Sequence, residues 1–158
     1  MSKPDAKPYS PGQERLMNLL MKPVSHFNNW IYRVSGGGIG GRFPGGAPVL
    51  LLTTIGRKSG QPRTAPLLYL RDEEHDDGLA VVASKGGMSR HPIWYLNLEA
   101  NPEVEVEIGR ECSKMLARRA TPEEKARLWP RLVDLYGSYE TYQARTERDI
   151  PVVILTPR

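Results

Sequence analysis

The sequence predicts a mainly β (α+β) fold, an antiparallel barrel with helices plugging and flanking it. Three observations carry that expectation. About six short apolar or alternating runs, at Val49–Ile55, 63–72, 79–84, 103–108, 111–120 and 150–155, have the length and β-branched content of strands. Glycine-bearing or charged turns separate them, as hairpins require. The helical patterns are few and short, which argues against a doubly wound α/β fold, where helices alternate with strands.

Taken in order, residues 1–12 are polar, carry Pro4, Pro8 and Pro11, and read as a disordered tail. Residues 13–158 form a single domain. Over 13–34, Leu16, Leu19, Leu20, Phe27, Trp30, Ile31 and Val34 follow helical spacing, and Pro23 is expected to split the segment into two short helices. The plainer reading is an amphipathic cover for one end of the barrel. The sharper one is a helix touching a membrane surface or facing substrate, because Met17, Met21, Phe27 and Trp30 stand beside Lys22 and Arg33. The run Gly36-Gly37-Gly38-Ile39-Gly40-Gly41 contains G-x-G-x-x-G, but a helical pattern precedes it and Pro44-Gly45-Gly46 follows. A dinucleotide site needs strand before and helix after, so the run reads as a connector.

The run Val49–Ile55 is a buried strand, 63–72 its hairpin partner, 73–77 an acidic solvated tip and 79–84 the third strand. A short helix follows from Ile93 and ends before Asn101-Pro102. Glu103 to Ile108 alternates strictly. Thr121-Pro122-Glu123-Glu124 is a helix start with an N-cap, a proline at the first position and a capping-box glutamate. That helix runs to about Tyr136. Gly137-Ser138 separates it from a second, and 150–155 closes the sheet.

The bulk properties bound the function. A length of 158 residues suits one domain, and 39% hydrophobic with 25% charged residues is a soluble, globular composition. The net charge of +4 is compatible with an anionic ligand, an anionic membrane or nucleic acid. The basic residues are not gathered along one helix and no RNA or DNA motif is present, so nucleic acid is set aside. Cys112 stands alone, excludes an internal disulfide and reads as a small packing residue. No apolar run reaches the roughly 18 residues of a membrane span, and the start lacks the apolar core of a signal peptide. A cytoplasmic protein is expected.

Two turns carry the chemistry. Arg57, Lys58 and Arg63 surround a glycine-containing turn at 56–63, and Ser84-Lys85-Gly86-Gly87-Met88 follows a buried strand. Neither contains a carboxylate. Each brings backbone N–H groups, hydroxyls and cations together, which suits a phosphate or carboxylate. Either alone reads as an ordinary basic turn; the pair on neighbouring strands favours an anion site. Trp94 could wall a flat ligand or belong to the core. Tyr136, Tyr139 and Tyr142 recur every third residue, as a pocket lining or as a face packed on the sheet. His26, His75 and His91 are far apart and no paired cysteines occur, so no metal site is expected. The chemistry falls to an organic cofactor.

These residues resemble a known family. Leu51-Leu52-Thr53-Thr54-Ile55-Gly56-Arg57-Lys58-Ser59-Gly60 with Pro62-Arg63 and Pro66-Leu67 is similar to the first motif of the deazaflavin (F420)-dependent nitroreductases of actinobacteria. Val82-Ala83-Ser84-Lys85-Gly86-Gly87, Pro92 to Leu98 and Ala100-Asn101-Pro102 are similar to the second, and Trp129-Pro130 with the tyrosines continues the match. The resemblance implies a split β-barrel related to FMN-binding split barrels. It implies coenzyme F420, an 8-hydroxy-5-deazaflavin with a phosphate and an oligoglutamate tail, and hydride transfer to a quinone, activated alkene or nitroaromatic. By resemblance, Arg57, Lys58 and Arg63 hold the phosphate and tail. Ser84, Lys85, Gly86, Gly87, Met88 and Trp94 hold the ring end, with Asn97 supporting the same loop. Tyr136, Tyr139, Tyr142 and Ser84 face the substrate. Leu68 stands where the nitroimidazole-activating member has a pocket tyrosine, which puts prodrug reduction in doubt. An FMN oxidoreductase of the same barrel and a non-catalytic F420-binding protein are the alternatives; the two basic turns favour a longer acidic tail than FMN carries. Contact with the inner face of the membrane through the N-terminal helix completes the expectation.

Overall fold

The computed structural model describes residues 4–158, and for Pro23 and Ser25 the backbone alone. The described residues form helices α1 (Pro11–Ser35), α2 (Ile93–Ala100), α3 (Pro122–Leu135) and α4 (Ser138–Arg145). The strands are β1 (Val49–Ile55), β2 (Pro62–Leu68), β3 (Leu70–Asp72), β4 (Gly78–Val82), β5 (Glu103–Ile108), β6 (Glu111–Arg119) and β7 (Val152–Pro157). They make one antiparallel sheet in the order β2-β1-β5-β6-β7-β4-β3.

The strand expected over 63–72 is therefore two. β2 pairs with β1 at one edge of the sheet, and β3 pairs with β4 at the other. Tyr69 joins them, buried, with its N–H on the Pro48 carbonyl at 3.2 Å. Both edges thus belong to one stretch of chain, and the sheet must curl to satisfy it. Leu67 and Tyr69 point inward while Leu68 and Leu70 point outward, so the alternation passes through the joint unbroken. Pro62 and Pro66 are tolerated because β2 is an edge strand.

Inside the curl pack Leu50, Leu52, Leu79, Val81, Val104, Val106, Met115, Ala117, Val153 and Leu155, with Trp94, Tyr95 and Leu98 of α2 plugging one end. Outside, α3 and α4 set Leu128, Leu132 and Tyr139 on Ala80, Val82, Val152 and Ile154. Both helices of the α3–α4 pair begin where expected, and the Thr121–Glu124 capping box is formed.

α1 departs from expectation. It runs unbroken through Pro23, with the freed Leu19 carbonyl on an exposed residue that water can reach. Of the tail expected over 1–12, Met1 to Lys3 lie outside the described residues. The helix already begins at Pro11 behind a Ser10–Gln13 capping box. Its C-terminal end is pinned by Tyr32, whose hydroxyl donates to the Val49 carbonyl at 3.1 Å and accepts the Gly109 N–H at 2.8 Å. The glycine run caps it: Gly36 adopts φ +60, and a side chain at Gly37 would meet the Gly109 backbone at 2.8 Å.

One smaller expectation is also corrected. Cys112 is exposed on β6 rather than packed. The acidic tip is exposed as expected but tethered at its base: Asp72 is buried and holds Arg127 at 2.8 Å and His75 at 2.8 Å, while exposed Glu74 and Glu73 reach Arg127 and Arg131. Burial alone would raise the Asp72 pKa, but the hydrogen bonds from Arg127, His75 and the Glu74 amide outweigh it and bring it down from 3.8 to about 2. A carboxylate with a lowered folded pKa stabilises the fold above its unfolded pKa and loses that contribution as pH falls toward the folded value. Asp72→Asn should therefore cost about 2 kcal/mol at neutral pH and flatten the loss of stability between roughly pH 4 and pH 2. Urea unfolding at a series of pH values reads both; an unchanged acid limb overturns the assignment.

Candidate functional site

The first basic turn, between β1 and β2, is closed by Gly56 N–H on the Gln61 carbonyl and Gly60 N–H on the Gly56 carbonyl, both at 2.8 Å. Arg57, Lys58 and Arg63 are exposed around it, and none of their side chains bonds another described residue. The backbone N–H of Arg57 donates to buried Asn97 Oδ1 at 3.1 Å, and Asn97 Nδ2 donates to Thr54 Oγ1 at 3.1 Å. Asn97 therefore supports this turn, not the Ser84 loop as the resemblance implied.

The second turn leaves β4 through Ser84 into a 3₁₀ turn, Lys85–Gly87. Lys85, Gly86 and Gly87 all have positive φ, at +45, +63 and +77. A side chain at Gly87 would meet the Tyr142 backbone at 2.6 Å, so α4 sits directly on the turn. Gly86 faces open space. Arg148, half-buried, gathers the turn's carbonyls: it donates to Ser84 at 2.7 Å, Met88 at 2.9 Å and Ala83 at 3.2 Å, and lies 3.0 Å from His91 Nδ1. Arg145 adds a bond to the Gly86 carbonyl at 3.0 Å. The Gly87 and Met88 N–H groups close the turn on the Ser84 and Lys85 carbonyls, so the expected free donor at Gly87 is already used.

The remaining predicted residues divide. Met88 and Trp94 are buried, Trp94 within the barrel interior, so they back the turn instead of presenting a surface for a ring. Tyr136, Tyr139 and Tyr142 are brought together at the α3–α4 junction. The Tyr136 and Tyr142 hydroxyls lie 3.0 Å apart, and the Tyr136 ring stands edge-on to Tyr139 at 5.0 Å. Tyr139 is buried behind the other two. Desolvation and the Tyr136 hydrogen bond push the Tyr142 pKa well up, so its hydroxyl holds its proton. Leu68 packs partly buried against the same cluster, and Phe43 stands edge-on to Tyr136 at 5.4 Å. A recess of about 340 Å³ lies elsewhere, lined by Leu79, Val106, Ile108 and Met115 among others, and includes none of the predicted site residues.

Sequence reasoning missed Arg145 and Arg148, which shape the second turn, and Glu14, which reaches it from α1. Glu14 Oε1 accepts the Ser89 N–H and Oε2 accepts the Ser89 hydroxyl, both at 2.8 Å. No spacing in the sequence links 145, 148 or 14 to residues 84–89; the contacts exist only once α4 and α1 have docked.

The comparisons bear on this geometry. The profile of the F420H(2)-dependent quinone reductase family matches residues 25–157. The chain belongs to that family. It is an oxidoreductase family, and its cofactor is F420; FMN, the alternative expectation, gains no support. An F420H(2)-dependent quinone reductase of Mycobacterium tuberculosis strain H37Rv is 47% identical over 131 residues, covering 81% of this chain and 86% of that one. A solved F420-H2 dependent reductase, FDR-A, is 41% identical with a TM-score of 0.62, covering 68% of this chain and 93% of its own. Another solved structure, described as a domain-swapped dimer, is 33% identical with a TM-score of 0.64 and covers 92% of this chain and 99% of its own. The fold is a split barrel with flanking helices, as the resemblance implied.

The donor set fits an acidic cofactor. Among the described residues Arg57, Lys58 and Arg63 have no acid bonded to them, and the second turn already holds a carboxylate, that of Glu14, beside Lys85 and Arg90. Arg148→Ala should strip the Ala83, Ser84 and Met88 carbonyls of their shared donor. Amide exchange at Gly87 and Met88 should then quicken about tenfold or more while barrel amides such as Val81 keep their protection. Unchanged exchange at the turn overturns the role given to Arg148.

Proposed function

We propose that the chain is an F420H2-dependent quinone reductase working by hydride transfer. The observation that carries the reading is the link between the two basic turns. α2 grows out of the second turn, and its buried Asn97 fixes the Arg57 backbone of the first. One helix thereby sets both anion-holding turns relative to each other.

On this reading Arg57, Lys58 and Arg63 bind the phosphate and acidic tail, and Ser84, Lys85 and the Gly86 backbone meet the ring end. When bound, F420H2 supplies a hydride from C5. The chain's part is to place the acceptor against it and to exclude water. A quinone becomes a hydroquinone by gaining one hydride and one proton, two electrons in all. The Tyr136–Tyr142 pair, with Ser84 near the turn, hydrogen-bonds the acceptor oxygen and relays that proton to it from water, which restores the proton to the pair. Activated alkenes accept the same hydride and proton. Leu68, apolar and packed on the tyrosine cluster, favours a flat apolar acceptor over a nitroimidazole held by a hydroxyl.

The same reading puts the chain in the cytoplasm, against the inner face of the membrane, where apolar quinones dissolve. α1 is inverted relative to an ordinary surface helix. Its polar residues Glu14, Asn29 and Arg33 bond the rest of the chain, while Leu16, Leu19, Leu20, Val24, Phe27, Trp30 and Val34 are exposed, Leu19 by 69%. Arg15, Lys22 and His26 recur on one flank by helical spacing, and no Asp or Glu occurs from 15 to 35. No described helix is long and apolar enough to cross a membrane, so the contact is interfacial.

Titration of the purified chain with F420 and with FMN tests the cofactor, and reduction of menadione by reduced F420 tests the reaction. Lys58→Ala and Arg63→Ala should each weaken F420 binding about threefold to tenfold. Tyr136→Phe and Tyr142→Phe should lower kcat about tenfold or more with cofactor affinity unchanged. Tighter binding of FMN, or full turnover in the double phenylalanine variant, overturns the reading. Separately, the chain should float with vesicles containing anionic phospholipid, and Leu20→Glu with Trp30→Glu should release it. Absence from the vesicles together with a dimer in solution assigns the α1 face to a second copy instead.

A further inference from the structure

The contact between Glu14 and Ser89 has the form of a bound ligand. A free carboxylate is chelated by one residue, taking its amide and its hydroxyl at 2.8 Å each. Lys85 and Arg90 stand close enough to favour the charged carboxylate, and the Ser89 amide bond, largest of the influences, lowers the Glu14 pKa further against burial. Arg148 adds a cation behind the turn; desolvation lowers its pKa, and Glu14 is the acid that acts on it. Three cations thus feel a single carboxylate, and that carboxylate arrives on a helix from another part of the chain. Ser89 and Arg90 are exposed, so the position is open to solvent on its outer side. A second contact lies alongside: the Arg145 guanidinium stacks over the Tyr9 ring at 4.3 Å and bonds its hydroxyl, while Arg145 Nε is buried without an acceptor. The beginning of the described chain is therefore held on the 84–89 turn by one carboxylate and one stacked ring.

We propose that Ser89, flanked by Lys85 and Arg90, is an oxyanion site that the chain's own Glu14 fills, and that a ligand carboxylate or phosphate displaces Glu14 and releases the first turns of α1. The amide and hydroxyl of Ser89 are chemically indifferent to whether the oxygen pair comes from Glu14 or from a ligand. Displacement exchanges one charged pair of hydrogen bonds for another, so its cost is small and a polyanion presenting several carboxylates is favoured. The site lies apart from the first basic turn but shares Lys85 with the turn given to the cofactor, and probes that carry no flavin read it separately from that assignment.

The test uses the full chain and two simple probes, triglutamate peptide and inorganic phosphate, followed at the Ser89 amide by nitrogen–proton correlation NMR. Glu14→Ala should bind the better of the two about tenfold more tightly than the parent chain, because the internal competitor is gone. Ser89→Ala in the same background should lose most of that gain. Whichever probe binds more tightly identifies the oxyanion source as a carboxylate or a phosphate. The proposal is overturned if the Ser89 amide of Glu14→Ala answers neither probe. It is equally overturned if parent and variant bind alike, or if sodium chloride at matched ionic strength produces the same shifts. Glu14 lies at the edge of the fold, and a native-like spectrum elsewhere verifies that the variant is folded.

Discussion

The constraint on which the structure depends is that both edges of the sheet are the same piece of chain. β2 and β3 are consecutive, meet at Tyr69, and pair with strands that lie at opposite ends of the strand order. An open sheet cannot satisfy this; a curled one can. Several features of the site follow. The outward residues of the joint, Leu68 and Leu70, fall beside the α3–α4 tyrosines because the outer face of β4 is where those helices pack. The β1–β2 turn falls at the end plugged by α2, so that Asn97 reaches it. The turn after β4 emerges on the same side as α4, close enough that only glycine fits against Tyr142.

The electrostatics rest on where charge is left without a partner of opposite sign. Arg127, Arg118 and Arg119 are paired with Asp72, Glu124 and Asp149. Arg148 is bonded to carbonyls and a histidine, not to a carboxylate. Carbonyl dipoles satisfy its hydrogen bonds but do not cancel its charge. A half-buried guanidinium in that state raises the positive potential of the turn above it; desolvation lowers the Lys85 pKa, Arg148 and Arg90 lower it further, and Glu14 opposes them. The turn thus gathers Lys85, Arg90 and Arg148 around one internal carboxylate, that of Glu14, and its fixed carbonyl bonds hold that arrangement in place.

Much of this was legible in the sequence because it depends on local chemistry. The alternation of Glu103 to Ile108, the capping box at Thr121 and the glycine-bearing basic turns each carry their own physical signature over a few residues. What was illegible depends on docking. Asn97 looked like a support for the loop nearest in sequence, yet its side chain points across the barrel mouth to Arg57. Met88 looked available and Trp94 could be read either way, but the turn buries the first and α2 carries the second into the core. Pro23 looked like a break, and a helix with its apolar side in the open can carry a proline because the freed carbonyl is not buried. The acidic 73–77 tip is solvated as it looked, but nothing local announces that Arg127 and Arg131 of α3 will pair with Glu74 and Glu73.

α1 shows how the two kinds of information combine. Its periodicity is plain in the sequence, but periodicity gives a face and not the direction that face takes. Four polar contacts decide the direction: Glu14 to Ser89, Asn29 to the Thr64 carbonyl, Arg33 to Glu107 and Tyr32 to Val49. They bind the helix at its two ends, leaving the apolar stretch from Leu16 to Trp30 turned outward between them. Hydrophobic burial, which dominates most docking, contributes little here beyond Tyr32. A helix held by a few polar bonds near its ends is cheap to detach at one end while the other stays fixed. The end at Tyr32 is buried and bonded to three backbone groups. The end at Glu14 is partly buried and rests on two hydrogen bonds to the exposed Ser89. On the displacement proposed above, the asymmetry of the two ends makes the Glu14 end the one that would be released, while the Tyr32 end stays fixed.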